Sequence, residues 1–381
     1  MSRKDDITQS GAGAGVGLGG AVRKYGRNRG FAEMLCWTAA AIVLGLCCSF
    51  IFLPLIGVNP LDAIGIMVTQ VFSNVYSMGN ILVKTTPLIL TGLAFAFTYK
   101  ANLYNIGAQG QFYAGCICAA AVSLGLQNRL SGVLVLLLAF VASIAGGGVM
   151  GALIGFLKAR FNANEFLVSM MSTYVITYFM QLLLRTVLQE EKGEYLQTDY
   201  LDNSVWLPRI IPGTSVSLGI VIAVAAAVLV WVVLYKTSAG YRVRVTGMNQ
   251  DAARMAGISP KKQYVLAFAL SGAIAGLAGF VEINGMQHML LTNFDTDIGS
   301  YGIGIAILAN ANPIGIIFAA LLFGVLQVGG TALGHYSSAP ASVIDLMQGW
   351  VMVFVLVSFF VRRQIRVRRM KNQKTVSGEA A

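Results

Sequence analysis

The chain has 381 residues, 56% of them hydrophobic and 11% charged, with a mean hydropathy of +0.70. Soluble domains carry roughly a quarter charged residues, so there is too little polar side chain here to coat a water-soluble globule. The net charge of +11 is not the signature of a nucleic-acid binder, because its basic residues are distributed between and beyond apolar segments.

The first 32 residues form a polar, basic tail in which Gly11 to Gly20 is low-complexity and expected to be disordered. No strand precedes this tract and no Gly-Lys-Ser/Thr follows it, so it is not a phosphate loop. Nor is the N-terminus a secretory signal, since the first apolar run is long enough to span and has no small-residue cleavage site. Residues 33–361 are predicted to form an all-α polytopic membrane domain of about ten transmembrane helices, each needing about 20 apolar residues. The predicted spans are 34–56, 81–99, 104–125, 131–157, 164–184, 214–235, 264–284, 298–311, 313–333 and 343–361. A basic tail, 362–381, follows.

With the N-terminus in the cytoplasm, all but Lys84, Arg129, Arg185, Lys192 and Arg209 of the 27 basic residues fall on the inner side. Lys and Arg are retained there during insertion, so this asymmetry predicts that both termini are cytoplasmic. The outer loop 185–213 carries Glu190, Glu191, Glu194, Asp199 and Asp202; it is either a docking surface or a solvated hairpin. The five cysteines lie in apolar segments without metal spacing and read as small core residues, and no metal site is predicted.

Two segments interrupt the helical pattern. The first, Lys100 to Tyr113, carries Asn105, Gln109 and Gln111; the second, Asp297 to Pro313, contains Ser300, Tyr301, Asn310 and Asn312 among glycines. Irregular backbone at membrane depth survives only inside protein or beside a cavity, and one break in each half suggests a central pathway between related repeats. Asn105, Gln109, Gln111, Glu282, Ser300 and Tyr301 are therefore the candidate pathway residues, with interhelical hydrogen bonding as the alternative for the amides. Glu282 either meets a solute or snorkels to the interface. Glu165 suits the positive start of the fifth helix. The glycines at 146–151 and 272–279 are accounted for by close helix packing.

The loop 236–263 is expected to project into the cytoplasm. Asn249 is a good N-cap, Asp251 suits the first turn, and Ala252, Ala253 and Met255 favour helix on either side of Arg254, giving about two turns. Gly257 fits the position after the C-cap and Pro260 forbids continuation. A short capped helix held between two spans has the shape to enter a groove on a partner.

Asn105-Ile-Gly-Ala-Gln-Gly-Gln, the Asn249-to-Ile258 loop and Asn312-Pro-Ile-Gly together resemble the bacterial permease family serving ribose, nucleosides and branched-chain amino acids. Within it the likeness is to permeases of nucleoside (purine-type) ABC importers, over residues 34–361. The family's usual acidic residue in the first motif is here Gln109. The resemblance implies a type II importer fold in an inner membrane, with Asn249 to Gly257 as the coupling helix. It further implies two ATPase chains that bind the ATP, a second and related permease chain, and an external solute-binding lipoprotein. This chain would then carry no cofactor and no catalytic residue, in keeping with its lack of a Walker lysine motif. A simple-sugar permease and an ion-coupled secondary carrier are the alternatives; the latter would bury more ionisable residues than Glu165 and Glu282 supply.

Overall fold

The computed structural model describes residues 40–358 apart from 52, 57, 191–192, 194, 293, 295–296, 338–344 and 356, together with 361, 364 and 365. The expected disordered tail at 1–32 and nearly all of the basic tail at 362–381 lie outside the described residues. The chain divides into two compact units, Phe52–Gln348 and a smaller one of Met1–Ile51 with Gly349–Ala381.

Thirteen helices can be named among the described residues. They are α1 (Ala40–Ile51), α2 (Pro60–Phe72), α3 (Val75–Lys100), α4 (Ala108–Leu126), α5 (Gly132–Phe161), α6 (Glu165–Arg185) and α7 (Gly219–Lys236). There follow α8 (Ser238–Met248), α9 (Gln250–Met255), α10 (Pro260–Glu282), α11 (Ile298–Leu308), α12 (Pro313–Tyr336) and α13 (Asp345–Val355). The only β contacts among the described residues are two isolated bridges, Gln197 with Leu291 and Arg209 with Ser217.

Six helices, α3, α5, α6, α7, α10 with its extension to Gln287, and α12, are long and apolar enough to cross a membrane. The other predicted spans differ from expectation. The segment expected at 298–311 yields only the 11 residues of α11, about 16 Å at 1.5 Å per residue, or half a hydrocarbon core. The expected span 104–125 starts its helix at Ala108, so Gln109 and Gln111 sit in a first helical turn rather than in irregular backbone. α2 was not foreseen at all: Asn59 caps it, accepting from the Leu61 amide, and Pro60 opens it, but its 13 residues are too short for a span-length window.

The larger unit is built on a seam of small residues. On α5, Gly147 and Gly151 face α10, where a Cβ would overlap the carbonyls of Gly272 and Phe268. On α10, a Cβ at Gly276 would overlap the Ser143 carbonyl, and one at Gly115 of α4 would overlap Gly276. Three backbones are thus in direct contact, which only glycine permits, and van der Waals attraction between them replaces the hydrophobic drive that lipid removes. Close packing is what the glycines at 146–151 and 272–279 were expected to provide. Cys116 is buried in this layer, whereas Cys47 of α1 is exposed, so not every cysteine is a core residue. In the smaller unit Gly45 of α1 lies against the backbone of Val351 in α13.

Candidate functional site

The two interruptions read from the sequence meet in space. After Lys100 the chain turns through Asn102, at φ 58°, and runs back along α3 until α4 begins at Ala108. The Ser271 hydroxyl donates to the carbonyl of Ala94, and Asn105 Nδ2 donates to Ser271 Oγ at 2.8 Å. Asn105 is therefore level with Ala94, six residues or about 9 Å short of the end of α3. The start of α11 is held at similar depth, because Thr91 Oγ1 donates to the Ile298 carbonyl and the Gly299 amide donates to Gln109 Oε1. A side chain at Gly299 would strike the backbone of Gln109. Two helix N-termini, each a positive dipole end, thus lie side by side within the bundle. At the other end of α11, Asn310 and Ala311 adopt left-handed backbone, Lys100 Nζ donates to the Asn310 carbonyl at 3.3 Å, and the Asn312 side chain caps α12.

The candidate pathway residues separate into distinct environments. Asn105 and Gln111 are fully buried and bonded to one another, Asn105 Nδ2 donating to Gln111 Oε1 at 2.7 Å and Gln111 Nε2 to Asn105 Oδ1 at 3.3 Å. With Ser271 they brace α4 and the returning segment against α10 and α3; removing one partner would strand a buried amide at about 1–3 kcal/mol. Gln109 positions α11. Glu282 is buried at the end of α10 and accepts from Gln287 Nε2 at 3.1 Å, so the snorkelling alternative fails. It sits where α10 opens into a π-helical turn, Ile283–Gln287, a distortion found frequently at functional sites. Ser300 is exposed and Tyr301 half-buried in the first turn of α11, the Tyr301 hydroxyl donating to Asp345 Oδ1 at 3.3 Å. Of the six, Ser300 and Tyr301 keep surface that a solute could reach. Ser271 and Thr91, the partners that close these networks, were not singled out from sequence, since an isolated hydroxyl in an apolar helix carries no signal until its neighbour across the bundle is known.

Glu165 does not itself cap α6. Asn164 does, accepting from the Phe166 amide, while Glu165 in the first turn pairs with Lys158 of α5 at 2.9 Å.

At the opposite end from α9, the loop expected at 185–213 is stitched to the chain that follows α10. Thr198 and Leu201 donate their amides to the carbonyls of Leu290 and His288, and Leu207 donates to Asn284. Its acidic positions 191 and 194 lie outside the described residues. His288, at φ 59° and 7% exposed, stacks on the Trp206 indole at 3.8 Å and 8° between planes. Burial, and then the nearby Arg209 guanidinium, hold its imidazole well below the ordinary value, at about 4. In the unfolded or detached loop it would titrate near 6.5. The stack therefore contributes fully above about pH 6.5 and is weakened as pH falls towards 4, where the detached loop binds the extra proton. Trp206 emission, followed in a protein whose other tryptophans are phenylalanine, should report loosening over that interval, and His288→Phe should remove the dependence. A flat emission profile in the parent would contradict this assignment.

The loop 236–263 contains two helices rather than one. α8 follows α7, and α9 is six residues long, close to the two turns expected. The end signals are as read: Asn249 Oδ1 accepts from the amides of Asp251 and Ala252 at 2.9 and 3.1 Å. At the far end Ile258 donates to the Ala253 carbonyl and Gly257, at φ 75°, to that of Arg254, the double bond pattern of a Schellman close. Asp251 and Arg254 are exposed and 3.6 Å apart. Ala253 is fully buried within this chain, so it is not a contact surface. The surface belongs instead to Met255, 93% exposed, and Met248, 84% exposed; the sequence marks Met255 only as a helix former and does not single out Met248. Their signal was two methionines flanking a capped turn in a polar loop.

Residues 77–356 match the family described as "Branched-chain amino acid transport system / permease component". A glucose ABC transporter permease protein of Haloferax volcanii is 33% identical over 81% of this chain and 83% of its own length. A guanosine ABC transporter permease protein of Bacillus subtilis is 32% identical over 84% of this chain and 93% of its own. A nucleoside ABC transporter permease protein of Lactococcus lactis is 29% identical over 84% and 90% respectively. With six long apolar helices and a match over most of its length, the chain belongs to this permease family and is a multi-pass membrane component of an ABC transporter.

Proposed function

We propose that the chain forms the pathway of an ATP-driven importer for a purine-type nucleoside and that α9 transmits movement from separate ATPase subunits. The observation that supports coupling is the capped six-residue helix held between α8 and α10, with Met248 and Met255 almost wholly exposed beside it. A methionine side chain left in water gains on burial in a partner groove. The nucleoside substrate is supported by the names of the Bacillus and Lactococcus relatives. On this reading the solute passes the paired N-termini of α4 and α11, meeting Ser300 and Tyr301, while Asn105, Gln109, Gln111 and Glu282 hold the walls. The proposal includes a second, related permease chain, an external solute-binding lipoprotein and a cytoplasmic membrane with α9 and both termini inside. Ten crossings belong to it too, three beyond the six long helices from α1, α4 and α13 and the tenth only in part from α11. A simple sugar is the second reading, favoured by the Haloferax glucose relative.

Uptake of labelled guanosine, with adenosine, uridine, ribose, glucose and leucine as competitors, tests it in cells with and without the chain and with a catalytically dead ATPase partner. Chain-dependent and ATPase-dependent uptake competed by nucleosides is the expected result. Competition by a sugar alone moves the substrate to the second reading, and uptake indifferent to the ATPase overturns the importer.

A further inference from the structure

A cleft of about 460 Å³ opens between α5, α7 and α10, floored by Phe97 of α3. Its walls are carbon throughout: Phe140 and Ile144 of α5, Leu229 and Val233 of α7, Leu270 and Ile274 of α10. On α7 the lining runs from Ile222 to Val233, eleven residues or about 16 Å along the axis, roughly the hydrocarbon depth of one leaflet. A solute site would place a few polar groups among its apolar walls, and this cleft offers none. A single polymethylene chain of that length, roughly 20 Å² in section at carbon contact distances, displaces about 320 Å³, which the cleft accommodates.

The charge at one end of the cleft selects which lipid. Three residues beyond Val233, on the same side of α7, stands the exposed Lys236, its Nζ 5.8 Å from the centre of the Trp231 ring. Two turns before Leu270, the exposed Lys262 opens α10. Arg244 lies over Tyr235 at 5.2 Å. Aromatic rings beside basic groups mark headgroup level, and the cations there attract anionic headgroups.

We propose that this cleft is a binding site for one acyl chain of an anionic phospholipid, whose headgroup sits at the α9 end against Lys236 and Lys262. The lipid fills the gap between α7 and α10 and so joins the span leading into α8 and α9 to the central seam.

The test uses the full-length chain in its complex, in nanodiscs of phosphatidylethanolamine and phosphatidylglycerol containing phosphatidylglycerol with a diazirine in its acyl chain. Labelled residues are mapped by mass spectrometry. Labelling of Leu229, Val233 and Ile274 should exceed that of the exposed Leu137 and Val149 on α5 by about fourfold or more, the factor one extra buried methylene supplies. Ala226→Trp, which fills the cleft, should abolish that excess and leave Leu137 and Val149 unchanged; Ala273→Phe does the same from the opposite wall should the first variant not assemble. Lys236→Gln with Lys262→Gln should lower the excess for phosphatidylglycerol but not for a phosphatidylcholine probe. Uniform labelling of cleft and open faces overturns the proposal. So does cleft labelling of the isolated chain that vanishes in the complex, which would give the cleft to a partner, or an excess that survives both filling variants.

Discussion

Gly276→Leu should abolish assembly of the membrane domain. A Cβ at this position would overlap the Ser143 carbonyl and lie 3.1 Å from Gly147 Cα. The obstructing atoms are backbone, so no rotamer change relieves them and α5 and α10 must move apart. Separation also opens the contact of Gly115 with Gly276 and that of Gly147 with Gly272, so one substitution disturbs three helices. Overpacking a core by a few methylenes costs about 1–3 kcal/mol where side chains can yield. Here they cannot, and the loss is set against a total stability of only about 5–15 kcal/mol. Detergent-solubilised fluorescent fusions examined by size exclusion would read this directly, with the variant aggregated or absent. Gly125→Leu, on the same sort of helix but with nothing within 4 Å of its Cβ, should elute as the parent does. A monodisperse Gly276→Leu protein at parental yield would show that the seam tolerates separation.

The second large effect is expected at the α9 loop, and it should appear in transport rather than in folding. Met255→Asp alters a side chain that is 93% exposed, so membrane level should be unchanged while uptake falls at least tenfold, about 1.4 kcal/mol of lost partner contact. Gly257→Val reaches the same result by another route. Space around Gly257 is open, but a β-branched residue at φ 75° is strained by about 1–2 kcal/mol and the Schellman close loosens. Gly213→Val, at φ 77° in the loop at the other end, controls for left-handed strain in general and should leave coupling alone. Ala253→Arg is not a usable probe, because that methyl group is buried inside the chain and an arginine there is a folding lesion. Wild-type uptake by Met255→Asp at normal membrane level, with the ATPase still bound, would remove α9 from the coupling path.

Apolar content and length were enough to read a polytopic helical membrane chain, because lipid leaves the backbone no other way to satisfy its hydrogen bonds. The ends of α9 were legible for a similarly local cause. Asn249, Gly257 and Pro260 act on amides and carbonyls within five residues of themselves. The two interrupted segments were legible as interruptions, since glycine and asparagine allow the left-handed turns at Asn102 and Asn310. α2 was missed because 13 residues do not fill a membrane-length window, and α8 because its polar face reads as loop.

What only the tertiary structure decided is where the polar side chains end. Asn105, Gln111 and Ser271 are up to 166 positions apart, and Gln109 and Gly299 are 190 apart. Whether such an amide faces a solute or another helix depends on which neighbour arrives, and periodicity along one segment carries no information about the register of another. Burial of Ala253 and exposure of Met255, two residues apart on one short helix, follow from the same cause. Local rules shape the turn, and packing against the rest of the chain chooses which of its faces remains for a partner.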